Sequence, residues 1–185
     1  KSESLYFALK IILSMIPAVI VGLFFEDFIA SLFDINLLLV GFMLLITAFL
    51  LFQADRIGKN NKPLNYRSAL LIGVIQAIAI LPGISRSGAT IALAVLLGID
   101  RERAARFSFL MVIPLIFGSM AKSLLEIDSV TQSPDYLSLL VGFIAAFITG
   151  IFACKWMIAL VKKSQLKYFS FYCIVVGVIA IVYAF

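Results

Sequence analysis

The sequence predicts an all-α polytopic membrane protein. It would have about five transmembrane helices and one re-entrant helix–loop–helix, as part of an inverted-topology repeat. Three observations predict this. Apolar residues make up 63% of the 185 residues and charged residues 14%, against roughly 45–50% and about 25% in soluble domains. The mean hydropathy is +1.14. The apolar residues fall into runs near the ~20 residues that a helix needs to cross a bilayer. Such runs must be helical, because an open strand has no partner for its backbone in lipid. No polar stretch is long enough for a soluble domain, so residues 1–185 read as a single membrane domain.

The first span is expected at about 7–25, "FALKIILSMIPAVIVGLFF", with Pro17 a tolerated kink. The second is expected at 36–54, and the third at 107–125 with Pro114 inside it. The fourth is expected at 136–154, and the last, short but uninterrupted, at 169–185.

Residues 68–99 differ. "SALLIGVIQAIAIL" gives fourteen residues before Pro82 and "ATIALAVLLGI" eleven after Gly88. Apolar runs of about 10–14 residues are more often re-entrant or interfacial than spanning. The expected form enters the membrane, turns near mid-depth at "PGISRSG" and leaves by the same side. A tight pair of tilted full spans is the alternative, and loop charge does not separate the two.

Loop charge does set an orientation. Loop 55–67 carries Arg56, Lys59, Lys62 and Arg67, loop 100–106 carries Arg101, Arg103 and Arg106, and segment 155–168 carries Lys155, Lys162, Lys163 and Lys167. These are expected inside. Glu26, Asp27 and Asp34 in one loop, and Glu126, Asp128 and Asp135 in another, are expected outside. The net charge of +5 is therefore a topology signal rather than a nucleic-acid one.

The order of elements suggests the repeat. From residue 68 it runs re-entrant pair (68–99) and then three spans; residues 1–54 hold only two spans. Three spans per unit invert consecutive units, and broken helices in such repeats commonly form a site. Residues 1–54 then read as the end of a first repeat. The chain opens on "KSESLYFALK", with no methionine and no signal pattern. An N-terminal part of roughly 65–90 residues, by usual span and loop lengths, is expected to precede it.

Chemistry concentrates at "LPGISRSGATIA", residues 81–92. There is no histidine in the chain, so no imidazole base is encoded. Cys154 and Cys173 fit no metal spacing and read as packing residues. Every carboxylate lies in a loop or at a segment end. Lys10 and Lys122 sit within about one turn of a segment end and can snorkel. Arg86 cannot, if 68–99 is re-entrant. A central arginine costs about 2.5–3.5 kcal/mol even on a lenient insertion scale, so it needs a partner or a wet cavity.

An anion suits its neighbours. Gly88 and Thr90 open a half-helix whose free N–H groups favour phosphate. Ser85, Ser87 and Thr90 offer hydroxyls, Gly83 and Gly88 allow close backbone approach, and Arg86 offers a planar fork. The bland alternative is that Ser85 or Ser87 only caps a helix. Gln76 is a second polar outlier. It reads either as a helix–helix hydrogen-bonding residue or as a site residue. Ser14, Thr47 and Ser108 are expected to bond to their own helix backbone. Ala146 and Gly150 form a small-residue packing face, and Tyr136 and Trp156 read as interfacial anchors.

"YRSALLIGVIQAIAILPGISRSGATIALAVLLGIDRERAARFSFLMVIP" resembles the second signature region of the bacterial undecaprenyl-diphosphate phosphatases, the bacitracin-resistance phosphatase family. Its P-G-x-S-R-S-x-x-T motif is present as Pro82, Gly83, Ser85, Arg86, Ser87 and Thr90. The earlier "SMIPAVIVGLFFEDFIASLF" is similar to the stretch that precedes the family's middle span. The resemblance implies a polytopic enzyme of the bacterial inner membrane. Its substrate would be a polyprenyl diphosphate lipid, and its site would be reached from the outer (periplasmic) face. Ser85, Arg86 and Thr90 would contact the diphosphate, with Gly83, Ser87, Gly88 and Gln76 around it. A divalent cation, Mg²⁺ or Ca²⁺, is implied, with unknown ligands. A homodimer is possible, and no nucleic acid is expected. The family's first motif, with paired glutamates, a serine and a histidine, has no match here, and Gln76 sits where the repeat would place a glutamate. This chain would then hold one half of the site. A transporter or flippase of an anionic lipid or small anion is the rival reading.

Overall fold

The computed structural model describes residues 2–33, 37–58, 61–126, 136–163 and 165–184. Among them the chain forms eight helices: α1 (Ser2–Phe24), α2 (Glu26–Phe33), α3 (Leu37–Arg56), α4 (Tyr66–Ile78), α5 (Arg86–Leu96), α6 (Arg101–Glu126), α7 (Tyr136–Lys162) and α8 (Leu166–Ala184). Five are long and apolar enough to cross a membrane: Ser4–Phe24, Leu37–Arg56, Arg101–Ser123, Tyr136–Lys162 and Leu166–Ala184. The shorter apolar helices are α4 and α5. This is the polytopic, all-helical architecture that composition and run length predict.

Helix ends depart from the expected spans, and each departure has a local cause. The helix expected at 107–125 starts six residues earlier, at Arg101. Asp100 accepts hydrogen bonds there from the N–H groups of Glu102 (3.1 Å) and Arg103 (3.3 Å), an N-cap inside the basic loop. The helix expected at 136–154 runs on to Lys162. Hydropathy marks where lipid is tolerated, whereas lysine is a good helix former and lets the ladder continue. α1 begins at Ser2, so Lys10 lies more than two turns inside a helix, not beside its end. Its ammonium sits 5.5 Å over the Tyr66 ring.

Tight helix crossings use missing side chains. α3 and α8 form the most extensive contact, through Gly41 and Gly177. A Cβ on Gly41 would lie 2.9 Å from the Gly177 carbonyl oxygen, and one on Gly177 would lie 3.0 Å from that of Gly41. α4 meets α1 through Gly73 against the Ser14 backbone. Small residues at crossings are the usual means of close packing in lipid. A Cβ added to Gly150 would meet nothing within 4 Å and Ala146 is exposed, so the packing face expected at Ala146 and Gly150 makes no close helix crossing among the described residues. Cys173 is buried as expected, but Cys154 is exposed and is not a packing residue.

The core lies at one end of the bundle. Leu51 and Ala54 of α3, Ala69 and Ile72 of α4, Ile91 and Val95 of α5, Phe107 and Met111 of α6, and Leu166 of α8 pack together there. Arg101 and Asp55 close this end: Asp55 Oδ1 lies 3.6 Å from Arg101 Nη1 and accepts the Leu166 N–H at 3.1 Å. Arg56, Lys62, Arg101, Arg103 and Lys162 all belong to it. Of the residues expected to mark the other side, Asp34, Asp128 and Asp135 lie outside the described residues, as does Lys59 at the basic end.

α4 and α5 form a pair that starts and finishes at the basic end. The Lys62 N–H donates to the Gly98 carbonyl at 3.0 Å, so the chain entering α4 lies against the chain leaving α5. Their connecting turn lies far from that end. Gly83 packs on Val40 and Met43 of α3, and the Ser85 N–H donates to Thr47 Oγ1 at 3.3 Å. Thr47 is at the middle of the 20-residue α3. The turn therefore runs along α3 from Val40, one turn inside its far end, to Thr47 near its middle.

Candidate functional site

The site is the turn 79–85 with the first turn of α5. α4 ends at Ile78, and Pro82 keeps its helix from continuing. Gly83 has φ +94°, a conformation that suits glycine. A Cβ there would lie 2.6 Å from the Val40 carbonyl oxygen. The physical reason for this glycine therefore differs from the one expected from sequence. It admits the α3 backbone, not a ligand.

Ser85 is the N-cap of α5: its Oγ accepts the Gly88 N–H at 3.2 Å. Gly88 is buried, and a Cβ on it would stand 2.9 Å from Ser85 Oγ. This glycine too makes room for the cap rather than for a ligand. The capping alternative thus holds for Ser85. Its residue is exposed, and the hydroxyl keeps its own proton to donate.

Several donors remain. The Ser85 N–H goes to Thr47, and the N–H groups of Gly88 and Ala89 go to Ser85. Those of Arg86 and Ser87 have no acceptor among the described residues, as the first turn of a helix leaves them. The Arg86 guanidinium is exposed and makes no hydrogen bond or ion pair with a described residue. A free guanidinium, two free N–H groups and a hydroxyl proton therefore meet at one helix N-terminus. That is a donor set for a phosphate group.

Thr90 is placed differently. It is 1% exposed, and its hydroxyl lies 2.8 Å from the Arg86 carbonyl oxygen and 3.2 Å from that of Ser87. It also bonds to the Ser108 hydroxyl on α6, itself 1% exposed. The hydroxyl expected from sequence to meet a ligand is here engaged by protein oxygens. Thr90 instead holds the Arg86 turn against α6. Sequence reasoning gave Ser108 only its own helix as partner. The two hydroxyls are eighteen residues apart, and no local pattern signals the pairing.

Gln76 is fully buried on α4, and neither its Nε2 nor its Oε1 has a hydrogen-bond partner. The helix–helix hydrogen bond expected of it is absent among the described residues. Beside the turn, Ile80 and Leu81 form one wall of an apolar groove of about 510 Å³, whose other walls include Pro17, Ile20 and Phe28. Among the described residues no three His, Cys, Asp or Glu side chains come together as a cation site.

The profile of the family described as bacitracin resistance protein BacA matches residues 1–179. An undecaprenyl-diphosphatase of Christiangramia forsetii is 59% identical over 184 residues, spanning 100% of this chain and 70% of that protein. One from Bacteroides fragilis is 47% identical over 185 residues, spanning 98% and 69%. One from Halothermothrix orenii is 41% identical over 188 residues, spanning 100% and 72%.

Proposed function

The chain belongs to the bacitracin resistance protein BacA family, and on that premise we propose that the 79–90 turn is where it holds the diphosphate of its lipid substrate. The chain is an undecaprenyl-diphosphatase, as its relatives are named. The reaction hydrolyses undecaprenyl diphosphate to undecaprenyl phosphate and inorganic phosphate, returning carrier lipid to cell-wall synthesis. Water's oxygen joins the terminal phosphorus, and the anhydride P–O bond breaks toward the lipid phosphate. The relatives' names favour this enzyme over a transporter.

The observation that carries the site is the free Arg86 guanidinium beside the open N–H groups of Arg86 and Ser87. Fixed donors aimed at phosphate oxygens stabilise the charge that shifts onto them during phosphoryl transfer. Ser85 adds its hydroxyl proton while its oxygen caps α5. Gly83 and Gly88 shape the turn, and Thr90 positions it. Gln76, buried without a partner, is a further substrate-side group. The apolar groove beside Leu81 suits the isoprenoid chain.

Mg²⁺ or Ca²⁺ does not fit the described turn, which offers donors and no carboxylate. The α4–α5 pair is read as re-entrant, supported by both outer ends lying at the basic end with the turn beside Thr47. The cluster of Arg and Lys at the basic end supports reading that end as lying on the cytoplasmic side of the bacterial inner membrane, with the turn opening outward. Residues 1–54 and 68–185 are read as parts of an inverted repeat, on the order of their elements. A homodimer is included, and crosslinking through the exposed Cys154 on α7 tests it.

The test of the site is phosphate release from undecaprenyl diphosphate by Arg86→Ala, with and without chelator. Loss of one preorganised donor typically lowers turnover by roughly 100- to 1,000-fold. The thermal midpoint stays unchanged, because the Arg86 guanidinium has no partner among the described residues. Near-normal turnover removes Arg86 from the reaction.

A further inference from the structure

A second cationic cavity lies away from the turn, at the basic end of the bundle. It measures about 630 Å³ and opens between α1, the linker before α4, and the first turns of α6. Lys10, Arg103 and Arg106 line it, with Tyr6, Phe7 and Leu110 among its walls, and no carboxylate does. Phe7 packs edge-on against Phe107 at 5.8 Å, which fixes the spacing of α1 and α6.

Its charges are poorly compensated. Glu102 is 3.2 Å from Arg106 but also 2.9 Å from Lys162, so one carboxylate serves two cations. Asp100 is turned to the backbone N–H groups of Glu102 and Arg103. Arg103 is exposed, and its guanidinium has no partner among the described residues. Among the described residues Lys10 meets only the Tyr66 ring. Three cations therefore face one cavity with half a carboxylate between them.

The cavity is also amphipathic along its depth. Arg103 and Arg106 lie in the first two turns of a helix long and apolar enough to cross a membrane, and basic residues at such an end are suited to lipid head groups. Leu110, 42% exposed, follows one turn deeper. A molecule filling it would place an anion among the cations and a hydrocarbon chain past Phe7 and Leu110. Basic pockets between transmembrane helices are suited to such head groups.

We propose that this cavity binds the phosphate head group of an anionic membrane lipid. The site is separate from the turn: it uses the outward face of α6, whereas Ser108 joins α5 on the inward face. It does not rest on the role given to Arg86.

The experiment is native mass spectrometry of the whole protein released from nanodiscs holding equal phosphatidylglycerol and phosphatidylcholine. The intact protein retains phosphatidylglycerol preferentially. Arg103→Gln lowers that retention several-fold and Arg103→Glu abolishes the preference, while Arg103→Lys keeps most of it. All three fold normally, because the guanidinium has no partner to lose among the described residues, and an unchanged thermal midpoint verifies this. Equal retention by the intact protein and Arg103→Glu overturns the proposal. So does displacement of the lipid by millimolar inorganic phosphate, which would make the site one for the free anion.

Discussion

Arg101 grips the end of the helix that carries Asp55. Its Nη2 donates to the carbonyl oxygens of Ala54 (3.2 Å), Asp55 (3.2 Å) and Ile57 (2.9 Å). Its Nη1, 3.6 Å from Asp55 Oδ1, is close enough for an ion pair but makes no hydrogen bond. A cation at a helix C-terminus is favoured by the exposed carbonyls, and both side chains are only 12% exposed. Asp55 in turn holds the first N–H of α8. Arg101→Met should lower stability by about 3 kcal/mol, the scale for breaking a buried pair. Thermal unfolding in detergent reads this, and an unchanged midpoint would show that the clasp contributes nothing.

Thr90 and Ser108 form a buried hydroxyl pair that ties the site helix to α6. Thr90→Val keeps the shape and leaves the Ser108 hydroxyl without this bond, a loss of about 1–3 kcal/mol. Turnover should fall with little change in KM, since the Arg86 turn loosens while the cradle's donors remain. Thr90→Ser should restore both. Equal activity in the valine variant would separate Thr90 from the reaction.

Gly83→Ala should destabilise by about 1–3 kcal/mol, the range for a non-glycine residue held in a sparsely populated conformation. The Val40 backbone at 2.6 Å adds a contact that no flexible side chain can relieve. The turn would shift from α3, so phosphate release should fall with stability. A variant as stable as the parent would mean that the turn has another conformation.

Gln76→Leu should raise the thermal midpoint, because it removes a buried amide that has no partner. The gain expected from such a group is about 1–3 kcal/mol. Phosphate release should drop at the same time if the amide serves the substrate. A lower midpoint would show that the amide is satisfied within the folded protein.

The fold was readable where the solvent dictates it. Lipid forces unbroken helices, so run length located the five spans and the short helices α4 and α5, but not α2, which forms where a loop was expected at Glu26 and Asp27. Helix ends were read less well, because α6 and α7 continue through basic residues that hydropathy excludes. At the site, "PGISRSGAT" identified the donors but not their allocation. Ser85 serves as both cap and exposed hydroxyl, and Gly83 and Gly88 serve packing.

The sequence by itself determined that this chain is a polytopic membrane protein with most of its Arg and Lys in loops expected on one side. It also determined that the chain breaks one helix at an arginine-bearing, phosphate-suited turn. Those follow from local composition and spacing. Tertiary structure alone decided where that turn lies along α3, between Val40 and Thr47, and the pairing of Thr90 with Ser108. It also decided the meeting of Lys10 with Arg103 and Arg106. Each depends on which faces of distant helices pack together. That is set by close fits such as Gly41 on Gly177, which residue spacing along the chain does not record.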